Sequence, residues 1–169
     1  MYSFSFSQGL AKKCENGKTW TFCGTPDYLA PEIVRGKGHD WGVDYWGFGV
    51  LLFEITYGYP PFYANNPTQT ARKIIRGSYS TPSRFSQELS DLISKLLCDQ
   101  SKRLGRTQGG ANEIIKHPWF SGFDWDAMLE KNMEVPYKPD VGKLENLGKK
   151  DQREERVPSS NWNPVFDVV

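Results

Sequence analysis

The sequence predicts a mainly α-helical chain with an extended, core-poor tail, on three observations. Residues Asp44 to Tyr57 carry apolar side chains on every side of a helical projection. Leu89, Leu92, Ile93, Leu96 and Leu97 fall at i, i+3, i+4, i+7 and i+8, the stripe of a helix lying on a core. After Val135 prolines, glycines and the charged run Lys149 to Arg156 replace any periodic pattern, as in a segment with little core of its own.

In chain order, Tyr2, Phe4 and Phe6 alternate with serines and predict a short strand. Gly9 to Pro31 carries Gly17, Gly24, Pro26 and Pro31 without a helical period and reads as an irregular, extended segment. The helix over 44–57 is apolar all round and therefore demands burial on all sides, and Gly58 with Pro60 and Pro61 ends it. Asn66 caps a helix that has Pro67 in its first turn, Gln69 placed to reach back, and Gly77 beyond Arg76 as its stop. Ser86 caps the next helix. A short one is expected over Ala111 to Lys116, broken by Pro118, with Trp119, Phe120, Phe123 and Trp125 behind it.

Length and charge leave several function classes aside. A chain of 169 residues suffices for one ordinary domain. With 21 Lys and Arg against 20 Asp and Glu, no global field recruits nucleic acid or an acidic membrane. Cys14, Cys23 and Cys98 are odd in number and widely spaced, unlike a disulfide framework or a zinc site. The longest apolar run, Val50 to Phe53, is far short of the roughly 20 residues of a membrane helix. The first residues lack a basic stretch and a long apolar core, so the expectation is a soluble, cytoplasmic chain.

The most informative stretch is Lys18-Thr-Trp-Thr-Phe-Cys-Gly-Thr-Pro-Asp-Tyr-Leu-Ala-Pro-Glu32. It is followed in order by Asp44-Tyr-Trp-Gly-Phe-Gly49, Gly58-Tyr-Pro-Pro-Phe62, Lys102-Arg-Leu-Gly105 and His117-Pro-Trp-Phe120. This ordered set resembles the activation segment and helical C-terminal lobe of protein serine/threonine kinases. Thr19 to Thr25, Gly38-His-Asp40 and Asp44 to Trp46 look most like the cyclic-nucleotide-dependent branch of the AGC group. Trp162 and Phe166 resemble the close of that branch's tail. The resemblance implies a partial kinase domain over 1–120 and an AGC-type C-terminal tail over 121–169.

It also implies roles for particular residues. Thr21 matches the activation-loop threonine phosphorylated by an activating kinase, a modification that adds charge and acceptor oxygens for nearby basic groups such as Lys12 and Lys13; read alone it is a solvated loop threonine. Thr25 matches the hydroxyl that helps hold the acceptor, or is a turn residue before proline. Gly24, Pro26 and Leu29 would line the pocket for the residue after the phosphoacceptor. Glu54, a carboxylate on an apolar helix, requires a cationic partner: a substrate arginine two residues before the acceptor, or an internal ion pair. Asp27 matches a second acidic contact to a more distant arginine. Glu32 and Arg103 match a buried structural pair, Asp44 an aspartate that holds the catalytic loop or a plain helix cap, and Trp46 a structural residue of the same helix. His39 and His117 read as surface and packing residues.

Kinase chemistry needs a Gly-rich loop, a strand lysine, a catalytic-loop aspartate and asparagine, and a metal-binding aspartate before Phe-Gly. The 169 residues offer none of these, and at the last position the chain reads Ser7-Gln8-Gly9. The intact family enzyme uses ATP and Mg²⁺; this chain is expected to bind neither well, since serine does not replace a carboxylate on Mg²⁺. The expectation is a C-terminal fragment of an ATP-dependent kinase acting on basic proteins or peptides, inactive alone and with one side of helix 44–57 uncovered. The alternative is a non-catalytic module binding arginine-rich peptides or a partner kinase lobe.

Overall fold

A computed structural model describes residues 17–138. The strand expected over 2–6, Lys12, Lys13, Cys14, Ser7 to Gly9, the charged run 149–156, Trp162 and Phe166 lie outside the described residues. Two compact units divide the chain, Met1–Phe123 and Asp124–Val169. The described part of the first holds α1 (Pro31–Val34), α2 (Gly42–Tyr57), α3 (Pro67–Arg76), α4 (Gln87–Leu96), α5 (Ala111–Ile115) and two 3₁₀ turns, Pro26–Tyr28 and Pro118–Phe120. Among the described residues there is no named strand, only an isolated antiparallel bridge between Thr19 and His39.

α2 is the central element. Its start is fixed not by Asp44, which lies exposed inside the first turn, but by Asp40, whose Oδ1 accepts from the Gly42 N–H at 2.8 Å. Its C-terminus is closed by Gly58 in the left-handed region (φ 99°), donating to the Glu54 carbonyl at 2.7 Å. Arg84 completes that cap. One of its nitrogens donates to the Thr56 and Tyr57 carbonyls at 2.9 and 2.6 Å, and the guanidinium lies 4.8 Å from the centre of the Tyr57 ring.

The apolar stripe of α4 packs on α2, with Leu92, Ile93 and Leu96 fully buried. The approach is close because Gly49 has no side chain: a Cβ there would sit 2.8 Å from Leu96 Cβ and 3.0 Å from Leu97 Cδ2. Trp46 stacks on Phe62 at 5.4 Å, and Phe53 takes Tyr57, Tyr79 and Phe85 edge-on. One side of α2 stays open all the same. Leu51 is exposed and Ile55 is 66% exposed, so the burial that an all-apolar helix demands is met on one side only in this chain.

The caps of the other helices follow the sequence closely. Asn66 Oδ1 accepts from the Gln69 N–H at 2.9 Å, and Gly77 closes α3 with φ 63°. Ser86 Oγ accepts from Leu89 N–H at 3.1 Å to open α4. Pro31 departs from expectation. It opens the short helix α1 instead of ending an extended stretch, because a proline in the first turn needs no N–H partner there. In the second unit, Asp124 Oδ1 accepts from Ala127 N–H and opens α6 (Trp125–Leu129).

Candidate functional site

The site is assembled from the irregular segment 19–32 and the buried middle of α2. Gly24 has φ 116°, a conformation that disfavours any side chain, and a Cβ there would lie 3.5 Å from Leu29 Cδ2. Thr25, exposed, precedes the 3₁₀ turn Pro26–Tyr28 and accepts from the Tyr28 N–H through its carbonyl at 3.0 Å. Gly24 and Pro26 are exposed while Leu29 is buried, so this corner presents a backbone rim over an apolar floor.

The turn places Tyr28 so that its hydroxyl donates to Glu54 Oε2 at 2.6 Å. Inside the chain Glu54 is thus met by a neutral phenol. The phenol responds. Burial, then the hydrogen bond to Glu54, then the charges of Glu54 and Asp27 push the Tyr28 pKa up to about 12. Tyr28 uses one lone pair of one carboxylate oxygen, so Glu54 retains acceptor capacity. Asp27 is a starker case: its Oδ1 is buried and has no hydrogen-bond partner. Two carboxylates acting on one phenol, one of them carrying an orphaned oxygen, form an acidic locus short of donors.

Thr21 lies exposed on the strand-like piece that begins at Thr19, with its hydroxyl 3.2 Å from the Thr19 hydroxyl. Thr19 and His39 exchange both backbone hydrogen bonds, at 2.8 and 2.9 Å, and so hold this piece against the loop before α2. His39 and His117 are both buried, which fits the packing part of their reading and not the surface part. His117 Nε2 lies 2.9 Å from Asp91 Oδ2, and its Nδ1 accepts from the Trp119 N–H, joining α4 to the turn Pro118–Phe120.

Below the site, Glu32 at the start of α1 is gripped by Arg103, with Nη1 and Nη2 donating to Oε1 and Oε2 at 2.6 and 3.1 Å. Both side chains are essentially buried. Arg103 also donates to the Gly42 and Cys98 carbonyls, and the Trp46 ring lies 5.2 Å from it. Trp46 is thus a wall for the guanidinium, and its own Nε1 has no partner. The structure brings Glu32, Arg103 and Trp46 together, and separately Tyr28 and Glu54; Asp44 stands apart in the first turn of α2.

Two features escaped the sequence. The Tyr28 contact spans 26 residues, and its only signal was that Glu54 needs a donor and Tyr28 is the one hydroxyl-bearing aromatic of the turn. The pairing of Asp40 with Arg106 gave no signal, since Asp40 is read only within the Gly38-His-Asp40 motif and the two residues are 66 apart. Among the described residues no group of three or more His, Cys, Asp or Glu side chains could hold a metal ion, and no helix is long and apolar enough to cross a membrane.

Comparison with known proteins agrees with this picture. The family described as protein kinase domain matches residues 7–120. A human protein described as cAMP-dependent protein kinase catalytic subunit PRKX is 40% identical over 164 residues, covering 95% of this chain and 44% of its own length. A Drosophila melanogaster cGMP-dependent protein kinase, isozyme 2 forms cD5/T2, is 46% identical over 137 residues, covering 79% of this chain and 15% of its own length. The cAMP-dependent protein kinase catalytic subunit of Schizosaccharomyces pombe is 44% identical over 134 residues, 79% of this chain and 26% of its own length. The chain therefore spans less than half the length of these curated relatives.

Proposed function

We propose, from the premise that this chain belongs to the protein kinase domain family and to its cyclic-nucleotide-dependent AGC group, that it is the substrate-reading part of an ATP-dependent serine/threonine kinase. Residues 1–120 are then the helical C-terminal lobe from the metal-binding position onward, and 121–169 an AGC-type tail. The observation that carries this reading is the acidic locus: Glu54 with spare acceptor capacity and Asp27 with a buried, unpartnered oxygen. Such a pair is stabilised by guanidinium donors arriving from outside. Glu54 receives an arginine two residues before the acceptor Ser or Thr, Asp27 a more distant one, and Gly24, Pro26 and Leu29 the residue after it. Thr25 helps hold the acceptor. Thr21 is the threonine that an activating kinase modifies, and the protein works in the cytoplasm.

Protein kinases use ATP and Mg²⁺. The described residues do not fit them: they bring together no metal-holding group, and the carboxylates of Asp27 and Glu54 repel phosphate oxygens. On this reading the 169 residues by themselves recognise substrate without transferring phosphate, since Ser7 stands where the metal-binding aspartate is expected. Fluorescence anisotropy with a labelled basic peptide tests the recognition. Glu54→Gln should weaken binding by roughly tenfold or more, in line with about 1.5–3 kcal/mol for a charged hydrogen bond, and equal affinity would refute it. In a metal-dependent assay on the same peptide, turnover above a no-enzyme control would refute inactivity.

The open side of α2 favours a second reading, a module that seats a partner kinase lobe on Leu51 and Ile55. Replacing both with Lys should leave folding stability within about 0.5 kcal/mol and abolish self-association or lobe binding in light scattering. Unchanged association would exclude it.

A further inference from the structure

The turn Arg103 to Arg106 presents two guanidinium groups to two carboxylates that bracket the loop between α1 and α2. Arg103 holds Glu32 on the near side of that loop. Arg106 holds Asp40 on the far side, with Nη2 donating to Oδ2 at 2.6 Å and Nε to Oδ1 at 3.3 Å. Asp40 is 8% exposed and the Arg106 side chain 28%, so water screens this pair only in part. The same Asp40 Oδ1 accepts from the Gly42 N–H while the Gly42 carbonyl accepts from Arg103. Gly42 is the backbone junction of both grips. A Cβ on it would lie 2.9 Å from Arg106 Cδ and 2.9 Å from Asp40 Oδ1, so the reach of Arg106 depends on glycine there.

The residue before Asp40 is His39, whose N–H and carbonyl pair with Thr19 at 2.9 and 2.8 Å. Gly38, one residue earlier, lies under Trp20: a Cβ on Gly38 would meet the indole Nε1 at 2.9 Å. Residues 38–40 are therefore a rail with the segment Thr19 to Thr21 on one side and Arg106 on the other. The bridge stands outside any named strand, so its register depends on what holds each side of it, the rail included.

We propose that Asp40 and Arg106 are positioning residues for the Thr21-bearing segment: the ion pair fixes residues 38–40, which in turn hold Thr19 in register and set where Thr21 stands. Arg103 anchors α1 to α2. Arg106, three residues on, anchors the segment. The two arginines divide the work between fold and site. The inference rests, for its regulatory meaning, on the reading of Thr21 as a phosphorylated threonine; the mechanical coupling does not.

Amide hydrogen exchange on the 169-residue chain tests it. In Arg106→Gln, exchange at Thr19 and His39 should rise by roughly tenfold or more, and tryptic cleavage after Lys18 by a similar factor, while amides of the α4 core at Leu92, Ile93 and Leu96 stay as slow as before. Arg106→Lys keeps the charge but not the two-nitrogen contact, and should give an intermediate rise on an intact fold. Asp40→Asn keeps an acceptor for the Gly42 N–H and loses the charge, so it should behave like Arg106→Gln. Exchange at Thr19 and His39 that does not change in these variants, or that rises equally in α4, overturns the coupling. Exchange that responds as expected while Thr21→Glu leaves basic-peptide affinity unchanged sinks the regulatory reading of Thr21 and leaves the coupling standing.

Discussion

Arg103 and Glu32 meet side-on, both guanidinium nitrogens on both carboxylate oxygens, with Gly42 and Cys98 carbonyls taking further protons and Trp46 walling off one face. Glu32, Arg103 and Trp46 are all buried. Glu32→Ala or Arg103→Ala should therefore cost about 3–5 kcal/mol, because the remaining charge stays buried alone. Arg103→Lys should recover little of it, since an ammonium cannot reproduce the fork. Urea unfolding followed by circular dichroism checks this; a loss below about 1 kcal/mol would mean that the survivor reaches solvent.

The Tyr28–Glu54 bond should be visible as an alkaline titration. Tyr28 holds its proton up to a pKa of about 12 against an ordinary value of 10.0. A group whose folded pKa is raised contributes stability that is fully present below pH 10 and is lost as pH rises toward 12. The difference in phenolate absorbance between the natural chain and Tyr28→Phe should show one phenol with that late midpoint. Glu54→Gln should move the midpoint down, and a midpoint near 10 in the natural chain would contradict the contact.

The Asp40–Arg106 pair predicts the opposite behaviour in acid. The hydrogen bond from Arg106 is the main cause that holds the Asp40 carboxyl below its usual 3.8, with the Gly42 N–H assisting. Its contribution is present above the unfolded value and is lost as pH falls through the depressed folded one. Arg106→Gln should therefore flatten the pH dependence of stability at the acid end and leave the neutral-to-alkaline side unchanged, as read from melting temperatures across a pH series.

The α2–α4 contact allows no side chain at position 49. Gly49→Ala should cost about 1–3 kcal/mol through overpacking against Leu96 and Leu97, despite the better helix propensity of alanine. Pairing it with Leu96→Ala should not recover the loss in urea unfolding, because alanine keeps the Cβ that the new methyl meets at 2.8 Å and leaves a cavity at a fully buried position.

Local rules were legible in the residues themselves; of the distant partners Glu32 and Arg103 were legible through the family resemblance, and the others were not. Asn66, Ser86, Gly58 and Gly77 mark helix ends through hydrogen bonds or backbone conformations set within a few residues, and each stands at the end it signals. The start of α2 was misjudged because Asp40 caps it from outside the helical pattern, and Pro31 because a proline ends one element and opens another with the same geometry. Glu54 announced a need without naming what meets it: an apolar helix raises the demand for a proton donor, and inside the chain a phenol 26 residues away supplies one. Asp40 carried a family signature but no sign of its partner, and Arg106 carried neither.

Trp20 is 69% exposed, the most open of the described tryptophans, yet its ring rests on the Gly38 backbone. Trp46, by contrast, is sealed in the core. The segment that carries Thr21 thus comes with its own optical reporter: shifts in the red edge of tryptophan emission would follow that segment, and the blue edge the core. Motion of residues 19–21 can be watched without attaching a dye once Trp41, Trp119, Trp125 and Trp162 are replaced, which leaves Trp20 against the sealed Trp46.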